Sequence, residues 1–133
     1  MAKEAGFNIS IRPSEFASAL NDDDNGKLQA FAIGWSGRVD PDANIHQFHT
    51  SKGSLNTTGA CDETIDTYLN KAREVSDQKE RIQLYRQAMD RFLARRNIIY
   101  LFHANYITAF PKNLKGYKDV PDGLVRIKGG TWN

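Results

Sequence analysis

Cysteine is almost absent from this chain: Cys61 stands alone among 133 residues. No internal disulfide can staple the fold, and cysteine usage leaves the redox compartment undetermined. No base or metal-ligand spacing surrounds Cys61, so it reads as a small semi-buried side chain. Long apolar runs are missing too, since none approaches the roughly 18 to 20 residues that span a bilayer. Met1 to Gly6 lacks the apolar core of a signal peptide. Neither sign of charge dominates: 18 basic residues face 16 acidic ones, for a net charge of +2. With no basic stripe, nucleic acid is not an expected partner. The basic doublet Arg95-Arg96 falls at an expected helix end, where cations suit the dipole. Catalytic signatures are also lacking: there is no Ser-His-Asp set, Gly-x-Ser-x-Gly elbow or phosphate loop. Asp22-Asp23-Asp24 resembles the start of a calcium loop, but no Glu follows at the required spacing, which leaves a solvated turn.

What remains is ordinary globular chemistry, 40% hydrophobic and 26% charged. The length suits one domain. Met1 to Gly6 reads as a helix end closed by glycine. Phe7, Ile9 and Ile11 alternate with polar residues, which predicts a half-buried strand over 7–12. Pro13-Ser14-Glu15 opens a short helix over about 14–20, with Phe16, Ala19 and Leu20 facing inward. The apolar run Leu28 to Ile33 predicts a second, buried strand over 28–35. Asn44 to His49 reads as a helical turn, and Ser51 to Ala60 as a loop. Ile65, Leu69 and Ala72 recur at helical spacing, with Tyr68 beside them, in a helix over 63–75. Asp77 and Glu80 make a capping box for a longer helix over 78–95, with Ile82, Tyr85, Met89 and Phe92 at helical spacing, joined by Ala88 and Leu93. Ile98 to Phe102 predicts a buried strand over 98–103. Tyr106 to Phe110 is a candidate for another, and Lys112 to Asn133 is an irregular tail that needs something to pack on. The alternation of helix and strand points to an α/β unit with parallel neighbours.

The stretch most suggestive of a site is Gly34-Trp35-Ser36-Gly37-Arg38-Val39-Asp40-Pro41-Asp42. An apolar run there delivers an aromatic face, a flexible turn, a charge and an Asp-Pro turn in quick succession. Pockets are often built this way, from a strand end that presents one aromatic and one charge. The plainer alternative is a strand-to-loop junction whose Trp is only core.

These residues also carry a resemblance. Gly34-Trp35-x-Gly37-Arg38-x-Asp40-Pro41-Asp42, Ile65-Asp66-x-Tyr68-Leu69-x-x-Ala72-Arg73 and Asp77-x-x-Glu80-Arg81-x-x-Leu84-Tyr85-x-x-Ala88 follow one another in order. With the strand Ile98 to Phe102 and the later Lys115-Gly116-Tyr117, this series resembles bacterial extracellular solute-binding proteins of family 5. Those are receptors of ATP-driven (ABC) importers for dipeptides, oligopeptides, nickel chelates and related solutes. The resemblance implies a C-terminal fragment of a longer, two-lobed type II periplasmic-binding-protein fold. On that reading, residues 1–103 belong to the second lobe, and 104–133 cross the hinge and pack on the first.

The implied function is binding, not catalysis. A peptide or related small solute would be trapped between lobes, and the closed form recognised by the permease subunits in the membrane. The implied location is periplasmic, or extracellular and membrane-tethered in a Gram-positive host. No cofactor and no metal are implied for the peptide-binding branch, whose Trp-x-x-Asp segment supplies an aromatic wall and a carboxylate for the ligand's amino terminus. Trp35 matches the wall, but Arg38 stands at the carboxylate position and reverses the charge. An arginine there would hold a carboxylate or phosphate and repel an ammonium. Its alternative is a pair with Asp40 or Asp42. Tyr100, Phe102 and His103 lie where the family meets its hinge and sometimes draws a pocket aromatic; core packing is their alternative.

Three other readings compete. Metal-chelate capture, of nickel or haem type, would use His46 and His49, which share a face on a helix, with His103 joining them. A bare interaction module that only docks to a permease is compatible with the same sequence. A hydrolase has the least support. If half of the cleft lies outside this chain, the isolated chain should bind solute poorly and expose apolar surface that favours self-association.

Overall fold

A computed structural model describes residues 2–120 and 124–132. Met1 of the expected first helix, Gly123 of the tail and Asn133 lie outside the described residues. The chain divides into two compact units, Met1–Ile33 and Gly34–Asn133.

In the first unit, a 3-10 turn over Ala2–Ala5 ends at Gly6. The glycine's φ of 86° is the left-handed value that a side chain disfavours. α1 spans Phe16–Asp24, and its N-cap is the Glu15 carboxylate, which accepts from Ala17 N and Ser18 N. The helix therefore runs on through Asn21 to Asp24, where composition alone predicts a turn. Asp22 is held by Arg12 at 2.8 Å and Lys27 at 3.3 Å. Those cations offset a carboxylate near the helix's negative end. Phe16 is exposed rather than turned inward, while Ala19 and Leu20 are half-buried.

The second unit is built on three helices: α2 (Asp42–His49), α3 (Glu63–Glu74) and α4 (Gln78–Arg95). The turn after α2 has no room for a side chain at Gly53, where a Cβ would collide with the Gln47 carbonyl. Asp62 caps α3 by accepting from Thr64 N and Ile65 N. Asp77 caps α4 through Glu80 N, as its spacing predicts, but the Glu80 carboxylate turns to Lys71 at 3.4 Å.

α3 buries Ile65, Leu69 and Ala72, as its period predicts. α4 buries Ala88 and Phe92 of the expected set together with Leu84, while Ile82, Met89 and Leu93 are exposed. Its sequence carries two apolar stripes, and the one bearing Ala88 lets the helices approach closely. Ile65, Leu69, Ala88 and Phe92 form the core, with Ile45, Tyr68 and Tyr85 packed around it.

The strands expected at 7–12, 28–35 and 98–103 are not formed, nor is one at 106–110. The regular structure of the described residues is mainly helical, and their only ladder is β1 (Leu114–Lys115) antiparallel to β2 (Thr131–Trp132). The physical reason is pairing: a strand exists only where another strand closes its hydrogen bonds. Most apolar residues of these stretches are correspondingly exposed, Ile99 at 78% and Phe102 at 80%. In the tail, Leu114 is buried, and Gly116 sits where a Cβ would meet the Gly129 carbonyl oxygen at 2.6 Å.

Candidate functional site

The Gly34–Asp42 segment is fixed by α2, α3 and α4 together. Asn44, in the first turn of α2, works as a three-way clasp. Its side-chain oxygen accepts from the Trp35 indole Nε1 at 3.2 Å and from Arg38 N at 2.7 Å. Its Nδ2 donates to the carbonyls of Arg38 at 2.8 Å and Asp40 at 3.0 Å. Beyond it, Phe48 meets the Trp35 ring edge-on at a centroid distance of 5.0 Å. That is a favoured geometry for two aromatic rings.

Two bidentate arginine–carboxylate pairs tie the end of the segment to the scaffold. Arg73 of α3 donates through Nε and Nη2 to Asp42 at 2.7 and 2.8 Å. Arg81 of α4 donates to both Asp40 oxygens at 3.1 and 2.8 Å, to the Ala72 carbonyl and to the Tyr85 hydroxyl. These guanidinium hydrogen bonds hold both carboxyls below the usual carboxylate range.

Arg38 therefore pairs with neither Asp40 nor Asp42, contrary to one of the sequence readings. Its guanidinium lies 5.0 Å from the Trp35 ring centroid, a cation–π arrangement. Nη1 donates to the backbone oxygen and the hydroxyl of Ser36. No described carboxylate forms a salt bridge with it. Trp35 is 45% exposed, so neither wholly core nor wholly surface.

The other predicted site residues divide. Tyr100 is tied to α2, its hydroxyl hydrogen-bonded to His49 Nε2 at 2.7 Å. Phe102 is exposed and His103 likewise, and no contact brings either to Trp35. Phe48 and His49 are neighbours on α2, so one helix end anchors both Trp35 and Tyr100.

His49 itself is buried. Its ring stacks on Phe92 with centroids 3.8 Å apart, and no protein group among the described residues meets its Nδ1. Burial pushes its pKa down to about 4. A small cavity of about 10 Å³ beside it is lined by Asp62, Arg95 and Asn97 among others. Burial would raise the Asp62 carboxyl, but hydrogen bonds from Arg91, Arg95 and the start of α3 outweigh it and lower the pKa to about 2. A shallow groove lies between Thr64, Tyr68, Gln87 and Arg91, and neither it nor the cavity includes Trp35 or Arg38.

His46 and His49, expected to share a metal, each have other partners. His46 Nε2 bonds the Asn70 side-chain oxygen at 2.9 Å, while His49 is occupied by Phe92 and Tyr100. Among the described residues no cluster of three His, Cys, Asp or Glu could hold a metal ion. Cys61 is exposed rather than semi-buried.

Spacing along the sequence does not reveal the roles of Asn44, Phe48, Arg73 and Arg81 in shaping the segment. A usable signal is nonetheless present, because Asp40, Asp42, Arg73 and Arg81 all belong to the motifs that carry the resemblance. Two acids in one motif and two arginines in the others are complementary in charge.

Comparison with known proteins points the same way. The chain is 30% identical over 92% of its length to "Di/tripeptide-binding protein 4" of Pseudomonas aeruginosa (strain UCBPP-PA14). It is 27% identical over 90% to "Oligopeptide-binding protein AppA" of Bacillus subtilis (strain 168). It is 28% identical over 90% to "Probable di/tripeptide-binding protein 5" of the same Pseudomonas strain. These relatives are named as binding proteins, not as enzymes. The chain spans only 22–24% of their length. No protein-family profile matches the chain, and no solved structure does. Among the described residues no helix is long and apolar enough to cross a membrane.

Proposed function

We propose that this chain is part of a family 5 solute-binding receptor of an ABC importer, which captures a peptide or related small solute and presents it to membrane permease subunits. The observation that carries the reading is the Trp35 segment. A half-exposed indole and an arginine on its face are held by Asn44, and by acid–arginine pairs built from the motif residues shared with the resemblance. Likeness to named peptide-binding proteins over some nine-tenths of the chain supports it. On this reading Trp35 is the aromatic wall of the ligand cleft, Arg38 a charge beside it, and Tyr100 a second aromatic steadied by His49. Phe102 and His103 are offered to the cleft by the segment that approaches the hinge.

The α/β lobe reading follows from the same proposal. Residues 7–12, 28–35 and 98–103 would become strands of a sheet completed by the rest of the receptor, and 104–133 would cross to the first lobe. Their exposed apolar side chains are what such a sheet would cover, and left uncovered they favour self-association of the isolated chain. The receptor would act in the periplasm, or outside the cell on a membrane tether.

The test is calorimetry on the intact receptor with an alanine tripeptide series. Trp35→Ala should weaken binding at least tenfold, as loss of a central aromatic contact does. The present chain alone should bind more weakly than micromolar. Unchanged affinity in Trp35→Ala would overturn the assignment.

A further inference from the structure

Three charged side chains surround the Trp35 turn, and they are not equivalent. Asp40 and Asp42 are each closed by a two-pronged arginine from another helix, so they present no net charge. Arg38 is the remaining cation, and its attachments are one-sided. Ser36 takes Nη1 on the backbone oxygen and the hydroxyl, and the Trp35 ring backs the guanidinium plane.

Among the described residues nothing accepts from Nε or Nη2 of Arg38. That is the edge through which Arg73 holds the Asp42 carboxylate. Its two parallel N–H groups match two carboxylate oxygens. Stacking and the Ser36 contacts fix the rotamer in advance, which lowers the entropy cost of receiving an anion.

We infer that Arg38 selects solutes that present a carboxylate to the Trp35 wall, and disfavours those that present an ammonium there. The preferred ligand class is a peptide whose anionic end, or acidic side chain, meets the open edge of Arg38. This inference rests on the receptor reading above, and adds to it the sign of the ligand's charge.

The experiment uses the intact receptor and three probes of one length: N-acetyl-trialanine (anionic), trialanine amide (cationic) and N-acetyl-trialanine amide (neutral). Calorimetry is done on the unmodified receptor and on Arg38→Gln, Arg38→Lys and Trp35→Ala. The unmodified receptor should rank them anionic, neutral, cationic. Arg38→Gln should weaken the anionic probe by roughly ten- to a hundredfold, the value of a charge-assisted pair, and the neutral probe by much less. Arg38→Lys should recover only part of the loss, because an ammonium lacks the fork. Melting curves check folding; the Arg38 side chain bonds only within its own turn, and the backbone bonds to Asn44 survive the substitution, so they should not move.

If Arg38→Gln leaves the anionic probe unaffected while Trp35→Ala weakens every probe, the charge inference fails and the receptor reading stands. The charge inference fails equally if the cationic probe binds best. If no probe binds the unmodified receptor, both fail.

Discussion

The helical body and the segment 98–103 both carry apolar residues expected to be buried, yet those residues end in opposite environments. Ile65, Leu69, Ala88 and Phe92 are sealed between α3 and α4, with Leu69 at 0% exposure. Ile99, Leu101 and Phe102 all stand exposed. The difference lies in where the backbone finds its hydrogen bonds. A helix closes them within itself, so two helices that share an apolar face suffice. A strand closes them only against a neighbour, and without one its side chains have no surface to pack on. Apolar character therefore predicts burial only where the partner belongs to the same body.

The comparison breaks hardest at Leu69. Truncation to alanine in a sealed core should cost about 2–5 kcal/mol, enough to abolish the cooperative transition of a small domain. A urea melt followed by circular dichroism reads this directly. A loss below about 1 kcal/mol would mean that the two helices are not the stabilising core.

Acid should attack the same body through His49. An unfolded histidine takes up a proton below about pH 6.5, whereas the buried ring resists until about pH 4. Stability present above pH 6.5 should therefore drain away as pH falls toward 4, by at most about 3 kcal/mol. Asp62 and Arg95 border the ring's cavity, but Asp62 is already paired with Arg91 and Arg95, so its charge does little to hold the proton. His49→Phe keeps the stack on Phe92 and should flatten the profile between pH 6.5 and 4. An equally steep profile in that variant would place the acid sensitivity elsewhere.

Asp62 acts in the next window down. Its carboxyl, lowered to about 2 in the fold, contributes stability above its unfolded value near 3.8 that is lost as pH falls from about 4 to 2. Asp62→Asn keeps an N-cap and removes the charge that Arg91 and Arg95 meet. The loss should therefore be smaller, about 1 kcal/mol, on the scale of a partly exposed ion pair. Chemical denaturation at pH 7 and pH 3 checks it: the gap between the variant and the parent should narrow at the lower pH.

How much can be read in advance follows the same division. α3 and α4 are legible almost to the residue, because Asp62 and Asp77 mark their starts and the periods are regular. The buried face of α4 is legible only in part: Ala88 and Phe92 stand out, but Ile82 and Met89 fit a helical period as well as Leu84 does. Which stripe faces α3 is a property of the pair. The extension of α1 through its acidic end depends on Arg12 and Lys27, whose charges reach Asp22 from outside the helix. At the candidate site, the adjacency of Trp35 and Arg38 is local and visible in the sequence. The clamps from Arg73 and Arg81 are 31 and 41 positions away, beyond what spacing conveys.

The smallest expected effect sharpens the comparison most. Ile99 is 78% exposed in this chain. Ile99→Ala should accordingly change its stability by less than about 0.5 kcal/mol. In the intact receptor, where the proposed sheet would cover that residue, the same substitution should cost about 2–5 kcal/mol, as core truncations do. Measuring both separates a segment apolar for the sake of an absent partner from one that is simply an apolar surface. Equal, small effects in the two proteins would show that 98–103 is never a buried strand, and with it would fall the assignment of Tyr100 and Phe102 to the edge of a sheet beside the ligand.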